Sequence, residues 1–327
     1  MRTLVTGGAG YIGSVMVSML ADGGHDVLVL DNLSRGHREA VKKAEIGEVD
    51  LEDQPAVQKI CQRFQPDACL HFAAHSLVEE SVAKPLMYFK TNLSGSLNLL
   101  KALLESNCGL LVFSSTAAVY GIPGSIPIVE DSRTVPINPY GLSKLMFEEA
   151  LGEVARAGGI RFVSLRYFNA AGADPENGLG EDHDPETHLV PRVIAAALGK
   201  GPGATIYGTD YPTPDGTCIR DYIHVIDLCS AHMLALEHLQ AGGESGIYNL
   251  GNGNGFSVRE VIESVKRVSG TDFEVIEAGR REGDPPSLVA SSESIREKLC
   301  WDPEFKTLDS IVETAWEWHR EHPDGYR

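Results

Sequence analysis

The sequence predicts an α/β fold, a doubly wound parallel sheet carrying a smaller α/β lobe, and three observations predict it. Short apolar, β-branched runs alternate with helix-length amphipathic segments, the pattern of a parallel sheet covered on both faces by helices. A glycine-rich turn, TGGAGYIG at residues 6–13, separates the first run from the first helical segment. After residue 169 the texture changes to long Gly-, Pro- and Asp-rich stretches, and loops of that length in a compact fold tend to be binding elements.

In chain order, TLVT (3–6), DVLVL (26–30), ACLHFA (68–73), LLVFSS (110–115) and FVSLRYF (162–168) are the strand candidates, with helices between them. A further helix is expected from about Val190. RDYIHV (220–225), a helical stretch to about Leu239 and GIYNLG (246–251) read as a return to the first lobe. From about Asn252, helices and a strand complete the second lobe, which ends in the amphipathic LDSIVETAWEWHR. The expected division is therefore 1–168 plus 219–251 for the first lobe and 169–218 plus 252–327 for the second. No internal repeat or low-complexity tract interrupts it.

Composition excludes several classes of function. Lys and Arg number 28 against 46 Asp and Glu, a net charge of −18, which repels nucleic acid and anionic membranes. A phosphorylated substrate therefore needs a local basic pocket. No apolar stretch approaches a membrane span, and MRTLVTGG enters a strand at once, without the charged and apolar regions of a signal peptide. Six cysteines, at 61, 69, 108, 218, 229 and 300, form no CxxC pair, which reads as reduced thiols in a cytoplasm. No metal-ligand set is read from the sequence.

The chemistry begins at the glycine turn. Gly7, Gly8, Gly10 and Gly13 open a βαβ unit, where glycine lets the backbone turn tightly and approach a pyrophosphate at a helix N-terminus. Asp31, at the end of the second strand, lies at the distance expected for a carboxylate on an adenosine ribose. A carboxylate there favours NAD over NADP, whose 2′-phosphate it would repel. Tyr140 and Lys144, in NPYGLSK, stand four residues apart, so a helix beginning near Pro139 brings them onto one face. On spacing alone that pair is either chemistry or a solvated helix face.

Taken together, TGGAGYIG, HFAA (71–74), SSTAAVYG (114–121), PYGLSK (139–144), LRYFNAAGA (165–173), YGTDYPTPDGTCIRDYIHV (207–225), YNLGNG (248–253) and RREGDP (280–285) give the chain a resemblance, over essentially its whole length, to the extended short-chain dehydrogenases/reductases and within them to the nucleotide-sugar 4-epimerases. The resemblance implies a Rossmann-type NAD domain, a UDP-sugar lobe and a homodimer formed by helices around 90–105 and 143–156. It implies NAD contacts at Gly7, Gly10, Tyr11, Ile12, Gly13, Asp31, Asn32, Asp50, Leu51, Phe72, Ala73, Ala74, Asn92, Ser114, Tyr140, Lys144, Tyr167 and Phe168. It implies substrate contacts at Thr116, Tyr140, Asn169, His188, Leu189, Tyr207, Arg220, Arg281 and Asp284, in which Asn169 and the two arginines hold the diphosphate, Asp284 the uridine ribose, and the segments around His188 and Tyr207 the uracil.

The implied reaction inverts C4 of UDP-galactose or UDP-glucose through a 4-keto sugar, with Tyr140, Lys144 and Thr116 catalytic. For Tyr140 to act as base near neutrality, its phenol must ionise far below its usual range, at a cost of about 4 kcal/mol. One lysine ammonium at ~6 Å, in an effective dielectric of ~20, supplies about 3 kcal/mol of that, leaving the remainder to the positively charged nicotinamide. The related 4,6-dehydratases carry Asp and Glu where Ala117 and Ala118 stand, and decarboxylating relatives keep a Glu at 118. Elimination is thereby disfavoured and a returned hydride favoured. Two departures bear on cofactor grip and sugar breadth: Ser76 stands where part of the family has Lys, and Leu288 where glucose-restricted members tend to have Tyr. Epimerisation of N-acetylated UDP-sugars or of UDP-glucuronate is the neighbouring alternative, and a catalytically silent NAD-binding relative the more distant one.

Overall fold

The computed structural model describes residues 1–201, 203–281 and 284–327; Glu282 and Gly283 of the RREGDP motif lie outside the described residues. The first half runs β1 (Arg2–Thr6), α1 (Tyr11–Asp22), β2 (Asp26–Asp31), β3 (Glu45–Glu48), α2 (Gln54–Phe64), β4 (Ala68–His71), α3 (Val78–Ala83), α4 (Pro85–Tyr88), a π-helical stretch (Phe89–Gly95), α5 (Ser96–Glu105), β5 (Leu110–Thr116), α6 (Pro139–Arg156) and β6 (Arg161–Tyr167). The second half runs β7 (Asn169–Ala171), α7 (Leu189–Ala197), β8 (Ala204–Tyr207), β9 (Ile219–His224), α8 (Val225–Gln240), β10 (Gly246–Leu250), β11 (Gly255–Ser257), α9 (Val258–Ser269), β12 (Val275–Ala278), β13 (Ser287–Leu288), α10 (Glu293–Leu299) and α11 (Leu308–Glu321).

Seven parallel strands form the large sheet in the order β10-β6-β5-β4-β1-β2-β3. All five expected strands are in it. The alternation of side chains sorts the strand residues onto two faces. Val5, Val29, Val112 and Val163 pack with α1 and α8, whereas Leu4, Leu28, Leu30, Leu111 and Phe113 pack with α2, α5 and α6. β3 has the sequence EIGE, without an apolar run to announce it. The fourth strand stops at His71 rather than at residue 73, because Phe72 N and Ala73 N both donate to the Thr6 carbonyl and turn the chain across the end of β1. Between β1 and β4 the strand order reverses, and the crevice at their carboxyl ends is where α/β sheets bind ligands.

The smaller lobe is built on β9, flanked by antiparallel β11 and parallel β7 and β13, beside a parallel pair β8–β12. Its core joins α7, α9 and α11 through Val193, Ile194, Val261, Val265, Ile311 and Val312. The chain thus passes through the smaller sheet in β9 before α8 and β10 return it to the large one. Asp221 secures that crossing: its buried carboxylate accepts from Asn252 N (2.7 Å), Gly253 N (3.1 Å) and Ala290 N (3.0 Å).

Candidate active site

The glycine turn meets three different demands. Gly7 has φ +69°, and a Cβ on it would lie 2.5 Å from Ala73 N, so it permits both the turn and the approach of β1 to β4. A Cβ on Gly13 would lie 2.1 Å from the Gly7 carbonyl oxygen, so it lets α1 start hard against the turn. Gly10, the N-cap of α1, meets only the Gly7 carbonyl oxygen at 3.4 Å. The protein itself leaves room there for a side chain, so the pressure for glycine falls on whatever the turn holds.

The surrounding residues brace this cradle. Asp31 is buried, accepting from Ala9 N at 3.0 Å and Leu33 N at 2.9 Å, and burial raises its pKa against those two bonds. Asn32 donates to Asp50 at 2.9 Å, and Asp50 also accepts from Glu52 N, beside buried Leu51. Tyr11 donates its hydroxyl to the Gly172 carbonyl at 2.6 Å, stapling the turn to the segment after β7, and Ile12 packs on the core below it. The Phe72 ring lies tilted against that of His232, centroids 4.8 Å apart, and Ala73 and Ala74 follow it past the end of β4. Asn92 is buried and its amide is spent inside the protein, accepting from His75 N and donating to the His75 carbonyl and the Ser143 hydroxyl. It positions the loop after β4 on α6. A Gly-rich cradle with an unfilled Cβ direction and a fixed carboxylate at the next strand end fits an adenine dinucleotide.

At the sheet's centre, β5 and α6 bring Thr116, Tyr140 and Lys144 together. Asn138 caps α6 by accepting from Gly141 N at 2.8 Å, with Pro139 in the first turn; this fixes where the helix starts, and so where its first-turn phenol points. Thr116 accepts from Ala118 N at 3.1 Å, and its hydroxyl is near enough to the Tyr140 phenol to oppose the effect of burial on it. Lys144 is 3% exposed, lies 4.9 Å over the Phe113 ring and donates to the Ser114 carbonyl at 2.8 Å. Among the described residues it has no other acceptor. The Ser114 hydroxyl bonds the hydroxyl of buried Tyr167. Phe168 packs against Val119, Tyr120 and Ile128 together with Leu288.

The electrostatics here are those of the protein without its cofactor. Burial raises the Tyr140 phenol, with the Thr116 hydroxyl opposing, and no effect of Lys144 stands against it. Burial also lowers the Lys144 ammonium to about 7, with Glu148 one turn on pulling the other way. Glu148 is itself engaged by Arg166 through bonds of 3.1, 3.2 and 2.6 Å, so its charge is shared. The protein alone keeps the phenol protonated and weakens the charge on the lysine beside it. The lowering expected of the lysine requires a bound group that re-solvates it.

The residues expected to anchor the substrate sit on the smaller lobe. Asn169 pairs with Tyr222 across β7 and β9, and Leu288 pairs with Arg220 across β13 and β9. Arg220 is mostly buried and bonds Asp284. Arg281 lies 4.0 Å over the Tyr207 ring and 3.9 Å from Glu79, and its hydrogen bond lowers the Tyr207 phenol. His188 caps α7, which begins at Leu189, and faces Glu181 at 2.8 Å and Glu186 at 3.0 Å. Burial opposes charge on that ring, but the two carboxylates outweigh it and raise it to about 11. The convergence of Glu181, His183 and Glu186 on His188 was not legible in the sequence beyond the density of acids and histidines in GEDHDPETH.

Residues 3–251 match the model of the NAD dependent epimerase/dehydratase family. The chain is 51% identical over 326 residues to a UDP-glucose 4-epimerase of Halalkalibacterium halodurans, covering 100% of this chain and 98% of that one. Its fold is similar to a crystal structure of UDP-glucose 4-epimerase with a TM-score of 0.98 at 47% identity, covering 100% of both chains. It is also similar to that of the Brucella ovis UDP-glucose 4-epimerase in complex with NAD, with a TM-score of 0.94 at 46% identity over 97% of each.

Proposed function

The chain belongs to the NAD dependent epimerase/dehydratase family, and from that membership we propose how its residues interconvert UDP-galactose and UDP-glucose by inverting carbon 4. It is an NAD-dependent enzyme. We assign the NAD lobe to 1–168 plus 225–251 and the UDP-sugar lobe to 169–224 plus 252–327, since β9, expected at residue 219 to open the return to the first lobe, pairs in the smaller sheet and the return begins with α8; the site lies where the two meet.

The carrying observation is the first turn of α6: a phenol beside the Thr116 hydroxyl, with a buried lysine one turn on and alanines at 117 and 118. Bound NAD supplies the acceptor for the C4 hydride and, once reduced, its donor. Gly7, Gly10 and Gly13 receive the pyrophosphate and Asp31 the adenosine ribose. Lys144, with one protein acceptor, has donors left for the nicotinamide ribose, and that contact restores the charge that burial removes. With Lys144 charged and the cationic nicotinamide beside it, the Tyr140 phenol would give up its proton to solvent, and the phenolate would then take the proton from the sugar's O4, with Thr116, held by Ala118 N, bridging phenol and sugar. Arg220, Arg281, Asn169 and Asp284 hold the diphosphate and uridine while the keto sugar turns its other face. With alanine at 117 and 118, no side chain there offers a proton for elimination, and Tyr140 returns its proton to O4.

A proton NMR time course of UDP-galactose with the purified protein tests this reading. Growth of UDP-glucose signals to a stable ratio is expected, and an unchanged spectrum after NAD is supplied would overturn it. Leu288 governs sugar breadth, so the same time course with UDP-N-acetylgalactosamine and UDP-glucuronate separates the neighbouring alternatives. A homodimer belongs to the same reading, supported by Leu97 on α5 and by Leu142 and Met146 on α6, all exposed. Light scattering that finds a monomer would remove it. Six free cysteines, five of them buried, and the absence among the described residues of any helix long and apolar enough to cross a membrane support a cytoplasmic location.

A further inference from the structure

We propose that Glu181, His183, Glu186 and His188 form a binding site for one zinc ion. Four donors converge, one atom from each residue, all within 4.8 Å of one another. His188 Nδ1 lies 2.8 Å from Glu181 and 3.0 Å from Glu186, and His183 Nδ1 lies 3.1 and 3.7 Å from the same two carboxylates. A tetrahedral zinc with bonds of about 2.0–2.1 Å sets its ligand atoms about 3.3 Å apart. The histidine–carboxylate separations lie about that value, Glu186 meeting the two rings with different oxygens, and with no pair of the four donors more than 4.8 Å apart the ion enters by drawing the wider pairs inward by up to about 1.5 Å.

The donor set selects the metal. Two imidazoles and two carboxylates suit zinc, whereas magnesium and calcium demand a shell of oxygens. Charge points the same way. Two carboxylates, one of them, Glu181, only 5% exposed, draw two positive charges into their midst. Two ring protons balance them only by placing like charges on rings whose centroids are 5.1 Å apart, whereas one divalent ion, displacing both Nδ1 protons to solvent, puts the same charge at the centre.

The loop is also held in shape from outside the cluster. His37 meets the Asp182 carbonyl at 2.9 Å, Tyr326 N donates to the Asp182 carboxylate at 3.0 Å, and Arg35 donates to the Asp184 carbonyl at 2.7 Å. The donors are therefore presented before an ion arrives, which is what a metal site requires of its surroundings. Zinc here would fix the entry to α7 without taking part in C4 chemistry. The site goes beyond the epimerase reading and does not depend on it.

The test uses the full chain loaded with NAD, stripped by a chelator, dialysed and titrated with Zn²⁺ against a chromogenic indicator. One equivalent is expected to bind, undisturbed by millimolar Mg²⁺. The His183→Ala/Glu186→Gln variant is expected to lose affinity beyond the roughly 10–100-fold that follows removal of an outer-shell partner. No zinc retained by the unmodified chain, or equal uptake by the variant, overturns the proposal. Should the variant fail to fold, Co²⁺ in the unmodified chain decides: intense visible absorption marks a tetrahedral site, and its absence overturns the assignment. Neither readout uses turnover, so loss of the zinc site and loss of the epimerase reading are told apart.

Discussion

The two ends of the cleft settle their charges differently. At the sheet, Lys144 and Thr116 are buried among apolar neighbours, and their positions follow from the cap of α6 and the end of β5. On the smaller lobe, Arg220 is engaged by Asp284, and Arg281 rests on Tyr207 near Glu79. The fold fixes the chemical groups, while the anchoring groups hold one another. A ligand therefore meets a phenol and lysine already in position, but has to exchange partners with the guanidiniums.

This difference predicts separable kinetics. The largest effect is expected for Tyr140→Phe, a loss of about a hundredfold or more in kcat with little change in KM, the scale of general-base catalysis; retained turnover in the NMR assay would break the contrast at its chemical end. Arg220→Met is expected to raise KM about 30-fold, or ~2 kcal/mol, the scale of charge-assisted hydrogen bonds, with kcat nearly unchanged. A fall in kcat instead would place Arg220 with the chemistry. For Gly10→Ala the expectation is a weakening of NAD binding of at least ~10-fold, about 1.4 kcal/mol, measured by fluorescence titration. Because the new methyl meets only the Gly7 carbonyl at 3.4 Å, the melting temperature should barely move, and a collapsed fold would show that the glycine serves the protein.

The smallest effect concerns Lys144 in the cofactor-free protein. Its folded pKa of about 7 lies below the ordinary 10.5, so between those values the unfolded chain holds the extra proton and stability rises with pH. Below about pH 7 both states are charged and that gain is absent. Lys144→Met removes the buried ammonium and should raise the melting temperature at pH 7 by a few degrees, ~1 kcal/mol, while flattening the rise toward pH 10. An unchanged pH profile would mean that the lysine is not desolvated as described.

The readable parts of the molecule were those encoded locally. Glycine spacing and the four-residue step from Tyr140 to Lys144 need only a strand, a turn and a helix, and strands with continuous Val and Leu runs declare themselves. The structure added what depends on distant residues. Asn92 proved to be a brace between the loop after β4 and α6, and Tyr11 spends its hydroxyl on Gly172. β3 escaped notice because EIGE is polar, and β7, β11 and β13 because two or three residues carry no periodicity. The lysine's depressed pKa was hidden for another reason: helical spacing predicts proximity but says nothing about how much water the fold removes from the ammonium.

The bond from Tyr11 to the Gly172 carbonyl joins residues 161 positions apart. On the proposed reading it ties the nucleotide turn to the start of the long loop that follows β7, and a cofactor held there would be kept from one turnover to the next. A deuterium placed on C4 of the sugar would then travel from carbon to nucleotide and back within one protein molecule. It would appear neither in water nor on a second cofactor, and the protein would behave as a sealed vessel whose isotopic memory outlasts many turnovers.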